Sequence, residues 1–247
     1  VNLWISNESY ATSIYGDINT WDVSGITDFS NLFYIKSFQD DISNWDVSSG
    51  TNFSYMFTGS SFNQDISGWD VSNGTNFNYM FLNSAFNQDI GNWDVSSGTT
   101  FREMFGNGIF NQDISNWDVS SGLNFSNMFL SNSAFNQDIS NWNLRSANNL
   151  NFMFSSATSF NQDLSSWILD RYSSRGNIFS GSGMSDYTAG GSHNETGDYF
   201  CYIHHDDLAE DFLNGPINSG YTFNGYDFWH DVITVLNGVD YEILGRA

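Results

Sequence analysis

The residues able to do chemistry are mostly carboxylates, and they recur. Asp22, Asp46, Asp70, Asp94 and Asp118 stand 24 residues apart; a second row, Asp41, Asp65, Asp89, Asp113, Asp138 and Asp163, keeps nearly the same step. Rows of this kind suit three roles. Several carboxylate oxygens together hold a hard cation such as Ca²⁺. A field of like charges draws a basic partner. A carboxylate can also accept the amide hydrogens of its own turn. The Asp41 row, placed just before an apolar residue, is expected to act in turns. The Asp46 row is expected to form a solvated face that recruits cations or a basic partner. The glycine-rich Ca²⁺ repeat and the EF-hand loop are both missing, so Ca²⁺ remains an option without a motif. With 28 acidic residues in the chain, a pair of carboxylates carries little weight as an acid–base couple.

Other reactive side chains are few. Histidine occurs at 193, 204, 205 and 230. The run His204-His205-Asp206-Asp207 places its groups side by side, and adjacent residues rarely converge on one ion, so no metal site is expected. Cys201 is the single cysteine, which excludes an internal disulfide and a cysteine-based zinc site. It reads as a small buried apolar residue or as a bond between two copies. No Ser-His-Asp arrangement, phosphate loop or dinucleotide fingerprint occurs. The chain is therefore expected not to be an enzyme, although a solenoid hydrolase using aspartate alone stays conceivable. A formal net charge of −22 repels nucleic acid and anionic membranes. No apolar run reaches the roughly 18 residues of a membrane span, so no direct membrane insertion is expected. The start at Val1 rather than Met suits a chain whose leader has been removed.

The elements that carry these residues form a repeat. Trp21, Trp45, Trp69, Trp93, Trp117, Trp142 and Trp167 account for seven of the nine tryptophans, spaced 24, 24, 24, 24, 25 and 25 apart. Met56, Met80, Met104, Met128 and Met153 keep the same step, as do Phe38, Phe62, Phe86, Phe110, Phe135 and Phe160. In one unit, residues 62–85, Ile66, Trp69 and Val71 follow the apolar-x-x-apolar-x-apolar pattern of a leucine-rich-repeat strand. The triplet recurs from Ile18/Trp21/Val23 to Leu164/Trp167/Leu169. Phe77, Met80 and Phe81 then sit at i, i+3, i+4, which predicts one or two turns of α or 3-10 helix. Gly50, Gly74, Gly98 and Gly122 lie between the two halves, where a sharp bend is expected. Stacking units about 4.8 Å apart would pile Trp on Trp and Met on Met. Asn63, Asn87, Asn111, Asn136 and Asn161 are expected to bridge coils. The one-residue insertion at 130–134 should bulge outward.

The fold class that follows is a repeat solenoid: a right-handed, leucine-rich-repeat-like coil stack with a parallel sheet on one face and short helical turns on the other. Residues 1–16 are read as an N-terminal cap, 17–184 as seven coils, and 185–247 as a small α+β module. In that module 206–213 and 227–236 read as helices ended by glycine, and 199–203 and 239–244 as strands.

The motif F-N-Q-D-I-S-x-W-D-V-S with a following M-F resembles the BspA-like, DUF285 type of bacterial surface-protein repeat, over about residues 15–184. The opening 15–30, Y-G-D-I-N-T-W-D-V-S-G-I-T-D-F-S, is similar to the usual entry into such an array. Phe53, Phe77 and Phe125 depart from the commoner Met or Val, as does the long non-repeat C-terminus. The resemblance implies a secreted or surface-anchored protein used in adhesion or interaction, and it carries no catalytic residues.

The expected function is a non-enzymatic extracellular or cell-surface structural or adhesion protein whose partner is a protein, in particular further copies of itself. A stacked array has two open ends, and a module that docks on a neighbour would give a filament. Phe212, Tyr221, Phe223, Tyr226, Phe228 and Trp229 are the expected assembly residues. The alternative is a binding module whose acidic face holds a basic protein or a Ca²⁺-bridged glycan. An ice-binding face is not expected, because the outward positions show no threonine array.

Overall fold

The computed structural model describes residues 1–164, 166–170 and 173–184. The chain divides into two compact units, Val1–His204 and His205–Ala247. The second unit lies outside the described residues, as do the helices, strands and aromatic cluster expected in 185–247.

Two short helices open the chain, α1 (Asn2–Ser6) and α2 (Glu8–Tyr15). Asn7 caps α2 by accepting the Tyr10 amide at 3.1 Å, and Glu8 lies at the positive end of the helix. Gly16 ends it at φ 73°, a conformation that glycine adopts without a steric cost. Trp4 is buried and meets Trp21 edge-on at 5.7 Å. Its indole N–H donates to Asp40 at 2.6 Å. The helix pair thus covers the tryptophan side of the first coil.

Beyond Gly16 the described residues are largely non-helical and strongly repetitive. Parallel bridges connect Asp28, Asn52, Asn76, Thr100, Asn124, Asn149 and Ser174 in succession. The strand expected at Ile66/Trp69/Val71 and its equivalents does not form, and no sheet occurs among the described residues. The reason is local. Asp65 takes the Ser67 amide and Asp70 takes the Ser72 amide, at 2.8 and 3.0 Å. The Trp69 and Gly74 amides turn back onto Ile66 and Val71. Amides that a parallel ladder would need are already used inside the coil. Contact between coils here passes instead through the indole. Trp69 Nε1–H donates to the Ile42 carbonyl at 3.2 Å and Trp93 to Ile66 at 3.1 Å. The pattern continues to Trp167, which donates to Ile139 at 2.9 Å.

The ladder lies in the other half of the unit. The amides of Phe53, Tyr55, Phe57 and Gly59 donate to Asn76, Asn78, Met80 and Leu82 of the next coil, at 2.7 to 2.9 Å. The intervening amides of Met56, Thr58 and Ser60 close turns onto Phe53, Tyr55 and Phe57. Helical turns were expected here. Two residues per coil have left-handed φ instead, for example Tyr79 (60°) and Asn83 (52°), or Glu103 (51°) and Asn107 (51°). That conformation costs an ordinary L-residue about 1 kcal/mol or more. It persists because it aims every second amide at the next coil.

Side chains from this half fill the core in columns. Phe29, Phe53, Phe77, Phe101 and Phe125 stack with ring centroids 5.2–5.6 Å apart. Phe33, Phe57, Phe81, Phe105, Phe129, Phe154 and Phe179 stack at 5.3–5.8 Å. Phe38, Phe62, Phe86, Phe110, Phe135 and Phe160 form a third column at 5.8–6.5 Å. These are offset stacks, the arrangement the ring quadrupole favours. The tryptophans from Trp45 to Trp167 are buried beside them.

Two details refine the sequence reading. Gly74, Gly98 and Gly122 do not have positive φ; each leaves room for a ring. A Cβ at Gly98 would stand 2.4 Å from Phe101 Cζ and 2.9 Å from the Val95 carbonyl. In the sixth coil Leu150 replaces the phenylalanine and Ala147 replaces the glycine, both buried. The insertion places Ser133 in solvent but tucks Asn132 inside. There its amide donates to Phe105 and Phe110, at 3.3 and 3.0 Å, and its oxygen accepts from Ala134 and Phe135.

Gly98→Ala is expected to destabilise the protein by about 1–3 kcal/mol through overpacking. Adding Phe101→Leu should recover most of that loss, because the pair then matches Ala147 and Leu150; a double-mutant cycle by chemical denaturation reads the coupling. Trp93→Phe should cost about 2–4 kcal/mol, since it opens a cavity and leaves the buried Ile66 carbonyl without its donor.

Candidate functional site

The outward surface of the stack carries the candidate site, and each row is held by the coil beneath it. Asp22, Asp46, Asp70, Asp94 and Asp118 are exposed. Each accepts through Oδ1 the amide two residues on, at Ser24, Ser48, Ser72, Ser96 and Ser120, over 3.0–3.1 Å. The Asp46 row is therefore a set of turn acceptors and not merely a solvated face. The Ser48 hydroxyl, with the Ser48 amide, holds the Asp46 carboxyl below the ordinary carboxylate range. The Ser96 and Ser120 hydroxyls do the same for Asp94 and Asp118. Repulsion between neighbouring coils opposes this weakly, Asp22 acting on Asp46 and Asp94 on Asp118.

The second row has the same local geometry. Asp41, Asp65, Asp113 and Asp138 accept the amides of Ser43, Ser67, Ser115 and Ser140, and Asp89 that of Gly91, at 2.8–2.9 Å. The Ser67, Ser115 and Ser140 amides lower the Asp65, Asp113 and Asp138 carboxyls. Asp138 and Asp163 also line a shallow cleft with Ser140, Gln162 and Ser166.

Asparagine bridges the coils as its spacing implied. Asn63, Asn87, Asn111 and Asn136 accept the amides of Asn87, Asn111, Asn136 and Asn161 at 2.8–2.9 Å. Sequence reasoning missed the next residue. Gln112, Gln137 and Gln162 donate to the carbonyls of Asn87, Asn111 and Asn136 at 2.8–3.1 Å. The placing of Gln between Asn and Asp at 64, 88, 112, 137 and 162 was the available signal. A threonine column was also missed. Thr51, Thr75 and Thr99 are exposed, and their hydroxyls donate to Thr27, Thr51 and Thr75 at 3.1–3.2 Å. Tyr55 and Tyr79 stack at 4.4 Å, with the Arg102 guanidinium over Tyr79 at 5.2 Å. Burial pushes the Tyr79 hydroxyl above its ordinary value, against the opposing pull of Arg102.

Among the described residues no three His, Cys, Asp or Glu side chains converge in a way that could hold a metal ion. Among the described residues no helix is long and apolar enough to cross a membrane. His193, His204, His205, His230 and Cys201 lie outside the described residues, as do Phe212, Tyr221, Phe223, Tyr226, Phe228 and Trp229.

Two copies of one family model, described as a Mycoplasma protein of unknown function, DUF285, match residues 5–109 and 85–188. The chain belongs to the DUF285 family. No curated protein and no solved structure matches it. The DUF285 match spans α2 and the stacked coils, so the polar rows above are the surface of the family's own repeat. In this DUF285 chain the stack aligns each aspartate row, and the asparagine–glutamine bridges and the tryptophan indoles each link one coil to the next.

The depressed carboxyls fix a sign. Their folded values lie below the unfolded ones, so their contribution is present above the ordinary carboxylate range and is lost as pH falls through the folded values. The melting temperature, measured in high salt to screen repulsion, should therefore fall as pH drops below about 4. Asp94→Asn keeps the Oδ1 acceptor and should melt near the wild type, whereas Asp94→Ala removes it and should melt lower.

Proposed function

We propose that this DUF285 chain is a non-enzymatic, extracellular or cell-surface structural or adhesion protein that works through protein contacts and associates with further copies of itself. The observation that carries the reading is the ladder between coils. Each coil donates four amides to the next coil, from Phe29 on Asn52 to Ser156 on Ser180, and returns an amide to the coil before it, from Thr51 on Thr27 to Ser174 on Asn148. A structure built this way gains its cohesion by adding units and carries its side chains as long regular rows, an arrangement suited to broad protein contact. The charge of −22 supports an exposed setting, since it keeps a stacked molecule soluble in salt and disfavours nucleic acid and anionic membrane as partners. The parallel bridges are in keeping with a right-handed, leucine-rich-repeat-like coil.

A second reading rests on the exposed aspartates. Asp46, Asp70, Asp94 and Asp118 use Oδ1 in their turns and stand exposed to solvent. Their row would bind a basic protein or a Ca²⁺-bridged glycan.

For the leading reading, sedimentation velocity over a hundredfold concentration range should show particles that grow, with fibres or sheets in electron micrographs. A strictly monomeric protein at the highest concentration would end the self-association part of it. For the second, titration calorimetry with Ca²⁺ should give heat and a raised melting temperature, and neither effect would remove the metal.

A further inference from the structure

Three tyrosines meet in a row on the early coils. Tyr55 and Tyr79 hold the same place in the second and third coils, with left-handed φ of 58° and 60°. Their rings stack with centroids 4.4 Å apart and planes 15° off parallel. Successive rings of the three phenylalanine columns are farther apart, at 5.2–6.5 Å. Both tyrosines are half-buried. Tyr34 is 41% exposed and meets Tyr55 edge-on at 6.3 Å. The pair is not a product of the repeat rule. Its place is taken in other coils by Asn31, Glu103, Asn127, Phe152 and Asn177.

The two hydroxyls lie at the same end of the stack. Burial raises the Tyr79 hydroxyl above its ordinary value, and interaction with the Tyr55 hydroxyl adds to that. The ring carbons beside each hydroxyl are therefore neighbours as well. The Arg102 guanidinium lies over the Tyr79 ring at 5.2 Å, a cation against the negative face of the ring. Glu103 pairs with Arg102 at 3.7 Å and accepts from the Asn127 side chain at 2.9 Å. Tyr79 thus has a phenol on one side and a held cation on the other.

Stacked phenols have a reaction that stacked phenylalanines lack. A one-electron oxidant takes an electron from each phenol as its O–H proton leaves to water, giving two phenoxyl radicals. Each radical shares its unpaired electron with the carbons beside the oxygen. Two such carbons in contact join by a C–C bond. The hydrogen that each carried then moves as a proton, through water, to an oxygen. With hydrogen peroxide as the final electron acceptor, two tyrosines and one peroxide give one dityrosine and two waters.

We propose that Tyr55 and Tyr79 are a cross-linking site, joined as dityrosine by a peroxidase-type one-electron oxidant. The bond closes a 24-residue loop between the two coils. Like a disulfide, it stabilises by constraining the unfolded chain. Residues 1–184 contain no cysteine, so no disulfide can join these coils. The link forms within one molecule and does not depend on self-association.

The test treats the dilute chain with a peroxidase and hydrogen peroxide at low ionic strength, where the net charge of −22 keeps copies apart. Wild type should gain the blue fluorescence of dityrosine and lose two hydrogen atoms in mass while still a monomer. Its peptide map should join Tyr55 to Tyr79, and its melting temperature should rise. Tyr55→Phe and Tyr79→Phe keep a stacked ring and should fold as wild type does. Each should lose the joined peptide and the rise in melting temperature. Tyr34→Phe should keep both, because Tyr34 meets its neighbour edge-on. Oxidation in denaturant should scatter the cross-links over other tyrosines. A map of the oxidised folded protein in which Tyr55 and Tyr79 are not joined overturns the site, whichever other tyrosines react. So does a Tyr55–Tyr79 link that forms as readily in denaturant as in the folded chain.

Discussion

The stacked coils depend on four amides in each coil that bond to the next coil and not within their own. In the segment that contains Phe53, Tyr55, Phe57 and Gly59, alternate N–H groups point out of the coil and the others close local turns. A single coil would leave those outward amides in water, and it could not bury its phenylalanines. Backbone strain is accepted for the same reason. Left-handed residues such as Tyr79 and Glu103 are unfavourable singly, and the ladder they allow offsets the cost.

Stacking identical coils imposes like upon like. Three phenylalanine columns, a methionine column and a tryptophan column follow, each side chain covering the one below. A change in one coil must then be answered nearby. Ala147 beside Leu150 shows this, since the larger backbone residue is admitted where the ring is lost. Asn132 is a second instance: the longer unit brings a polar side chain inside, and four hydrogen bonds satisfy it.

The acidic surface takes a different meaning once the turns are known. A row of aspartates suggests a ligand, yet both rows here first serve the chain by capturing amides two residues on. That capture is also what prevents a strand at the tryptophans. The carboxylates therefore help to shape the coil, and their outward charge sets how copies and partners approach.

The sequence by itself determined the repeat, its 24–25-residue period, the number of coils and the residues that face inward. These are legible because burial demands the same apolar type at the same step, from Trp45 to Trp167. The asparagine bridges were legible for the same reason. Tertiary structure decided where the backbone ladder runs and how the second half turns. Trp69 and Val71 alternate as a strand would, and Phe77, Met80 and Phe81 are spaced as a helix would be. Side-chain periodicity reports which residues are buried, but it does not report where amides go. That choice lay between an aspartate in the same turn and a carbonyl one coil away, and only the packed neighbours settle it.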